Sequence, residues 1–568
     1  MAKIKLNKLT GHAKEGIIGA INKKIGDTIN SGETLLEIES NKGNISVESE
    51  VSGKILAIEV EVGSKVKIGD VLAEIEGEAS ESKETKSKGK FDYFGSLMKP
   101  QKKEINTDIT IIGGGPGGYV TALQAAKLGA NVVLIEKEKL GGTCLNWGCI
   151  PTKCFVRSSE VFENLKEAEK YGLQAENVSV DMKKVVERKN KVVTQLVDGI
   201  KYLLDKNHVK VLQGKGEIIN KETVYVKERN VENTIKTKNI IIATGSETFT
   251  LPIPGVDLEN VITSNEALDI TSLPKSLVIV GGGIIGMEFA FIFNSFGVEV
   301  SVIEYLDNIL SVLDEDVYEE ITNIAIEKGI NIYTGSRVEE IMESENKECI
   351  VVFSKDDKKK FICSEKVLMA VGRKPYLGNL DIEKLGVELN DNKKGIKVNE
   401  KMQTSVSNIY AIGDVTNKIQ LAHVASHQGI IAVKNILGEG VDMNYDVVPS
   451  GIFTNPEIAV VGLGEKEAMD KGLDIQVGKF PFEANGKALT IGESKGFIKL
   501  IKDKATGKII GGSIIGPHAT DLIAEVALAV KNGLKAEDII ETIHAHPTTA
   551  EAVHESALAT EGGAIHFE

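Results

Sequence analysis

The sequence predicts a multidomain chain in which a small all-β sandwich precedes a larger α/β core. Three observations predict it: a strand-and-turn block used twice within residues 1–77, a polar and charged stretch over 78–104, and two strand–glycine turn–helix–strand units of one design further on. At 568 residues the chain is several times the length of a typical single domain, so several domains with cores of their own are expected.

The N-terminal block comes first. Gly26-Asp27-Thr28, Gly32-Glu33 and Leu35-Leu36-Glu37-Ile38-Glu39 recur as Gly63-Ser64-Lys65, Gly69-Asp70 and Leu72-Ala73-Glu74-Ile75-Glu76. Turn glycines followed by a short alternating run, used twice, suggest two small sheets related by pseudo-symmetry. Between the repeats, two alternating runs flank Ser40-Asn41-Lys42-Gly43, so Lys42 is expected at a hairpin tip. Residues 78–104 have almost no apolar periodicity before Phe91-Asp92-Tyr93-Phe94 and read as a tether.

From Ile105 the pattern becomes β–α–β. Ile109–Ile112 reads as a buried strand, Gly113-Gly114-Gly115-Pro116-Gly117-Gly118 as a turn, 119–128 as a helix and 131–135 as a strand ending at Glu136. The second unit runs from Leu277-Val278-Ile279-Val280 through Gly281-Gly282-Gly283-Ile284-Ile285-Gly286 and a helix to a strand ending at Glu304. In each, the first glycine permits the turn, the next lets backbone approach a pyrophosphate, and the last lets the helix pack on the strand. The pyrophosphate then lies on a helix N-terminus, whose free N–H groups favour negative charge. Each acid follows its first glycine by 23 residues and is placed to accept from ribose hydroxyls. Two such units imply two Rossmann-like dinucleotide sites. Tyr305-Leu306-Asp307-Asn308 after the second acid offers no cation for a 2′-phosphate, which favours NAD over NADP.

A formal charge of −15 disfavours nucleic acid or an anionic membrane as a partner, and no apolar run is long enough for a membrane span. The first residues enter a strand pattern without a secretory signal, so a cytoplasmic location is expected. The five cysteines, Cys144, Cys149, Cys154, Cys349 and Cys363, are too sparse for an extracellular disulfide framework, and no nearby Cys or His pair suggests a metal. By spacing alone, core residues are the favoured reading of Cys144 and Cys149.

The segment that holds them, Gly141-Gly142-Thr143-Cys144-Leu145-Asn146-Trp147-Gly148-Cys149-Ile150-Pro151-Thr152-Lys153, resembles the redox-active segment of the pyridine-nucleotide disulfide oxidoreductases. His544-Ala545-His546-Pro547-Thr548-Thr549-Ala550-Glu551 is similar to the family's interface motif, and Ala243-Thr244-Gly245-Ser246, Ala370-Val371-Gly372-Arg373 and Ile409–Asp414 to further signatures. The matches run from about Ile105 to the end. Within the family the dihydrolipoyl dehydrogenase branch fits best: Glu304 speaks against an NADPH enzyme, and no cysteine follows Cys363 as in mercuric reductases. Residues 1–77 resemble a lipoyl domain with Lys42 at the lipoylated position, although the usual Asp-Lys-Ala is Asn41-Lys42-Gly43 here. An unmodified surface lysine is the alternative.

The resemblance implies an FAD-binding domain in two parts (105–250 and 377–446), an NAD-binding domain (251–376) and an α+β dimerisation domain (447–568). It implies a reversible Cys144–Cys149 disulfide, with Cys144 attacked by substrate and Cys149 nearer the flavin. His546 is the acid/base, Glu551 its partner, and Lys153 lies near the flavin, paired with Glu288, with a helix-surface role for either Lys153 or Glu288 as the alternative. His544, His554 and His566 read as structural. FAD is expected on Gly113, Gly115, Gly118, Glu136, Thr143, Lys153, Thr244, Gly245, Asp414 and Ala422. NAD is expected on Gly281, Gly283, Ile285, Gly286, Glu288, Glu304 and Gly372. The implied reaction passes electrons from dihydrolipoamide through the disulfide and FAD to NAD⁺. It takes place in a homodimer whose partner supplies the His motif, within a 2-oxoacid, acetoin or glycine cleavage complex. An NADH-driven reductase of another disulfide or peroxide system, or a lipoyl domain serving as a docking scaffold, are the alternatives. Trp147, the only tryptophan, sits between the two cysteines.

Overall fold

The computed structural model describes residues 2–6, 15–30, 33–40, 43–49, 53–67, 69–76, 100–378 and 380–568. They fall into two compact units, Met1–Leu97 and Met98–Glu568.

The first unit contains β1 (Ala2–Lys5), β2 (Glu15–Ile21), β3 (Thr28–Ile29), β4 (Thr34–Ser40), β5 (Gly43–Glu48), β6 (Gly53–Ile58), β7 (Lys65–Lys67) and β8 (Val71–Glu76). They form two four-stranded sheets of order β1-β8-β6-β3 and β5-β4-β2-β7. Advancing every strand by four converts one order into the other, which is the pseudo-symmetry behind the sequence repeat. The hydrogen bonds repeat as well: Gly26 N–H donates to the Ile55 carbonyl and Gly63 N–H to that of Ile18. Leu35, Leu36 and Ile38 from one copy and Leu72, Ala73 and Ile75 from the other are buried between the sheets. Each large aliphatic side chain there contributes about 1.5–3 kcal/mol. In the β4–β5 hairpin Ser40 faces Gly43. Lys42, the expected lipoyl position, lies outside the described residues, as do 78–99 of the expected tether.

The second unit begins with a correction. Its first strand is Gln101–Ile112, so residues 101–104 belong to the core and not to the tether. They pair in parallel with Val231–Thr234. Their side chains are exposed, so no apolar alternation marks them as strand; backbone pairing holds them there. The parallel order is Lys210–Gln213, Val132–Glu136, Gln101–Ile112, Val231–Ile242 and Ile409–Ala411, with Thr223–Glu228 and Gly216–Asn220 extending it antiparallel. Ile111, Leu134 and Ile240–Ile242 are fully buried, the continuous apolar pattern of a sheet covered on both faces.

A five-stranded parallel sheet follows, ordered Val261–Thr263, Lys366–Met369, Ser276–Val280, Glu299–Ile303 and Asn331–Tyr333. The chain enters and leaves this region along Ser246–Thr248 and Arg373–Pro375, which pair antiparallel. The helices Pro116–Lys127 and Ile284–Ser295 take in the end of each glycine turn, Pro116-Gly117-Gly118 and Ile284-Ile285-Gly286, while Gly113–Gly115 and Gly281–Gly283 precede them, with Gly115 and Gly283 as the N-caps.

The C-terminal region is a five-stranded antiparallel sheet, Ser450–Ile452, Glu457–Gly462, Ile509–Gly516, Phe497–Asp503 and Ile475–Pro481, carrying the helices Ala519–Asn532 and Glu551–Ala559. It is fastened to the second glycine-turn region by Lys499. This fully buried ammonium lies 2.9 Å from Asp314, 2.6 Å from Asp316 and 2.6 Å from Glu465. Deleting one partner of such a buried cluster leaves an uncompensated charge. Among the described residues, no helix is long and apolar enough to cross a membrane.

Candidate functional site

A cavity of about 2370 Å³ runs between the two parallel sheets and is lined by both glycine turns. That exceeds the few hundred to about 1,000 Å³ of a site for one small ligand and leaves room for two extended ones.

The two turns are built alike. A side chain on Gly118 would place its Cβ 1.8 Å from the Gly113 carbonyl oxygen, and one on Gly286 would come within 2.0 Å of that of Gly281, so only glycine lets each helix sit this close. Gly118 and Gly286 therefore act in packing and do not line the cavity, whereas Gly113, Gly115, Gly281, Gly283 and Ile285 do. Neither helix has an acid in its first turn, which leaves its N-terminal N–H groups available to an anion. Glu136 Oε2 accepts from Gly114 N at 2.6 Å and Oε1 from Glu138 N at 2.7 Å. Glu304 repeats this with Gly282 N at 2.5 Å and Leu306 N at 2.7 Å. Burial pushes the Glu136 carboxyl above the usual carboxylate range, against the pull of the two N–H groups.

Thr143, Thr244, Gly245, Asp414 and Ala422 line the first turn's end of the cavity, and Gly372 the crossover to the second. Ser246 Oγ donates to Asp414 Oδ2 at 2.6 Å and accepts from Arg373 Nε at 2.8 Å. Arg373 also donates to the Ser246 carbonyl at 2.7 Å and to Thr143 Oγ1 at 3.4 Å, tying the crossover strands to the residue before Cys144. Burial raises the Asp414 carboxyl, opposed by Ser246 and Arg373.

Cys144 lies on the short helix Gly142–Trp147 and Cys149 begins the helix Cys149–Lys166. The helices meet at Gly148, where an added Cβ would stand 3.0 Å from the Thr143 carbonyl oxygen and 3.4 Å from Cys144 Cα. That close approach brings the two free thiols into contact. The hydrogen bond from Cys144 lowers the Cys149 thiol to about 7; burial opposes this, and the Lys153 ammonium and the helix N-terminus assist. Cys144 is correspondingly pushed up by its bond to Cys149 and by burial. Pro151 fits the first helical turn, where its missing N–H is not needed.

Lys153 Nζ is 3.0 Å from both carboxylate oxygens of Glu288 and stands 4.1 Å from the centre of the Phe453 ring. Phe453 N–H also donates to Glu288 Oε1 at 3.0 Å. The helix Cys149–Lys166, the second glycine-turn helix and the C-terminal region thus meet at one point on the cavity wall, and Trp147 lines the same cavity.

His546 Nδ1 is 2.9 Å from Glu551 Oε1, and Glu551 Oε2 accepts from Thr548 N at 2.9 Å. The His546 side chain is 79% exposed. Neither residue is among those lining the cavity of the same chain.

Sequence reasoning misses Phe453, and it marks Ser246 and Arg373 only as parts of motifs. Nothing near Phe453 in the sequence marks it: its partner Glu288 is 165 residues away.

Residues 107–429 match the family of pyridine nucleotide-disulphide oxidoreductases, residues 448–557 that family's dimerisation domain, and residues 2–75 the biotin-requiring enzyme family. The chain is 43% identical over 471 residues to a dihydrolipoyl dehydrogenase of Bacillus subtilis, covering 81% of this chain and 99% of that one. A dihydrolipoyl dehydrogenase of Geobacillus stearothermophilus is 40% identical, with 82% and 98% covered. Among solved structures, LpdA of Mycobacterium tuberculosis superimposes with a TM-score of 0.75 at 27% identity, over 80% of this chain and 99% of that one. An HOCl-induced flavoprotein disulfide reductase of Escherichia coli gives 0.72 at 30% identity, over 80% and 99%.

Proposed function

The chain belongs to the pyridine nucleotide-disulphide oxidoreductase family, and on that premise we propose that it catalyses the dihydrolipoyl dehydrogenase reaction, oxidation of dihydrolipoamide to lipoamide with FAD and NAD⁺. The observation that carries this reading is a pair of thiols in contact on the wall of one cavity that has a glycine turn and its acid at each end. The lipoyl-type unit at the N-terminus adds a carrier of the same substrate chemistry, with Lys42 as the attachment residue. It also favours work within a 2-oxoacid, acetoin or glycine cleavage complex.

The residues present fit both nucleotides. The first turn, Glu136, Thr143, Lys153, Thr244, Gly245, Asp414 and Ala422 would hold FAD. The second turn with Glu288, Glu304 and Gly372 would hold NAD⁺. The chemistry that bound FAD supplies is two-electron exchange with the thiols and hydride exchange with the nicotinamide. The rest falls to the chain's own residues.

With Nδ1 held by Glu551, His546 offers Nε2 to a proton of the dihydrolipoamide dithiol. The resulting thiolate attacks Cys144 Sγ, forming a mixed disulfide and releasing Cys149 as the leaving thiolate. The second substrate thiol then displaces Cys144, so the lipoamide disulfide forms as the protein disulfide is lost. In the mixed disulfide Cys144 has no S–H left to donate, so the departing Cys149 thiolate is stabilised by the Lys153 ammonium and by the helix N-terminus on which it sits.

Two assays on the purified chain test this reading: NAD⁺ reduction by dihydrolipoamide, and NADH oxidation by glutathione disulfide or peroxide. Turnover with dihydrolipoamide supports it; turnover only in the second assay overturns it. Glu304→Ala removes a carboxylate placed to accept from a ribose, an interaction that contributes about 1.5–3 kcal/mol when charge-assisted. The KM for NAD⁺ should rise roughly ten- to a hundredfold with FAD content unchanged. Equal loss of FAD would reverse the assignment of the two turns.

Trp147 reports on the same cavity from the end of the helix that carries Cys144. Its emission should be strongly quenched in the oxidised holoenzyme, change when NADH or dihydrolipoamide opens the disulfide, and brighten when FAD is removed. Emission indifferent to all three would move the flavin away from this segment.

A further inference from the structure

Resting on the assignment of His546 as the base, we propose that the neighbouring His544 is a buried imidazolium, ion-paired to Glu525, that positions His546 and sets the charge around the His546–Glu551 pair. His544 Nδ1 lies 2.9 Å from the Thr542 carbonyl oxygen, and Nε2 lies 2.8 Å from Glu525 Oε1. A carbonyl oxygen and an ionised carboxylate can only accept, and a neutral imidazole carries one N–H. Both contacts are hydrogen bonds only if both ring nitrogens are protonated. The side chain is 8% exposed, so water does not offer a substitute for either bond.

The surroundings account for one positive charge. Glu525 faces the ring from the helix Ala519–Asn532, and His554 from the helix Glu551–Ala559 with ring centres 5.4 Å apart. His554 has its own acceptor, its Nε2 lying 3.1 Å from the Ile540 carbonyl oxygen, so it does not compete for Glu525. Glu551 is the remaining carboxylate that feels this charge. Burial works to raise it, yet the Thr548 N–H, His546 and His544 together hold it below the usual carboxylate range.

The consequence for the base is geometric first. The loop that carries His546 is anchored upstream by the His544–Glu525 pair and downstream by Glu551, which grips both His546 and the Thr548 N–H. Between these anchors His546 is solvent-exposed, so the anchors set the aim of its free Nε2. A salt bridge on a helix of the same region fixes the loop more firmly than the exposed ring could by itself.

The test compares the acid limb of the pH profile of kcat/KM for dihydrolipoamide in wild-type holoenzyme, His544→Gln and the double variant His544→Gln with Glu525→Gln. The single variant removes a cation and leaves an anion, which favours the protonated, inactive form of the base. Its acid limb should move up by about half a pH unit. Its rate at the optimum should fall roughly ten- to a hundredfold from lost aim, with FAD content retained. In the double variant the pair is neutral again, so the limb should return to its wild-type position while the rate stays low. A His544→Gln limb that coincides with wild type, or a double variant whose limb stays displaced, overturns the proposal. Wild-type holoenzyme labelled with ¹⁵N-histidine gives a readout that needs no variant. One ring should carry protons on both nitrogens in the resting holoenzyme, and the absence of such a ring rules the imidazolium out. The underlying assignment is tested separately by His546→Gln: full activity there removes the base itself and leaves the state of His544 a distinct question.

Discussion

Cys149→Ser is expected to bind FAD normally and to lose dihydrolipoamide oxidation by about a thousandfold or more. Serine has nearly the size of cysteine and can begin a helix equally well, so the junction at Gly148 should be preserved. What disappears is specific. No disulfide can form with Cys144, and a thiol held near 7 is replaced by a hydroxyl that does not ionise in this range. FAD content should be unaffected because the glycine turn, Glu136 and the Ser246–Asp414–Arg373 cluster are built without Cys149. NADH oxidation by an artificial electron acceptor should survive, since it bypasses the thiols. Substantial lipoamide turnover in this variant would falsify the thiol relay.

The second large effect is a gain. Homodimers of Cys149→Ser and of His546→Gln should each be nearly inactive, the latter by about a hundred- to ten-thousandfold, the contribution of a positioned general base. A mixed dimer, isolated through two different affinity tags, should recover about half of wild-type activity. The reasoning follows from His546 being exposed and away from the cavity wall of its own chain, on a region that matches the family's dimerisation domain. If each site takes its cysteines from one chain and its histidine from the other, the mixed dimer contains one doubly damaged site and one intact site. If each site is made within one chain, both sites of the mixed dimer carry a lesion and no activity returns. The two arrangements therefore differ by about two orders of magnitude in a single assay.

What the sequence determined by itself is whatever short stretches of chain build. A phosphate-binding turn and its ribose acid are made within one strand–helix–strand unit, so Gly113 with Glu136 and Gly281 with Glu304 are legible from spacing and residue type alone. The same holds for the repeat that becomes the strand order of the N-terminal sandwich, whereas the two cysteines on either side of Gly148 and the pair His546 and Glu551, five residues apart, stand out only through the family resemblance of their segments. Residues 101–104 were not legible, because exposed side chains carry no periodicity and parallel pairing with Val231–Thr234 alone makes them a strand. Tertiary structure also decided which side chains gather around these local motifs. Phe453 meets Lys153 and Glu288, Arg373 reaches Ser246 and Thr143, and His544 finds Glu525. Those contacts join segments up to 300 residues apart, and they form only because the helices and sheets have already packed their apolar faces together. Hydrogen-bond partners chosen by packing leave no pattern in either segment alone, and for that reason the partner of a histidine that looks merely structural in sequence is set by the fold.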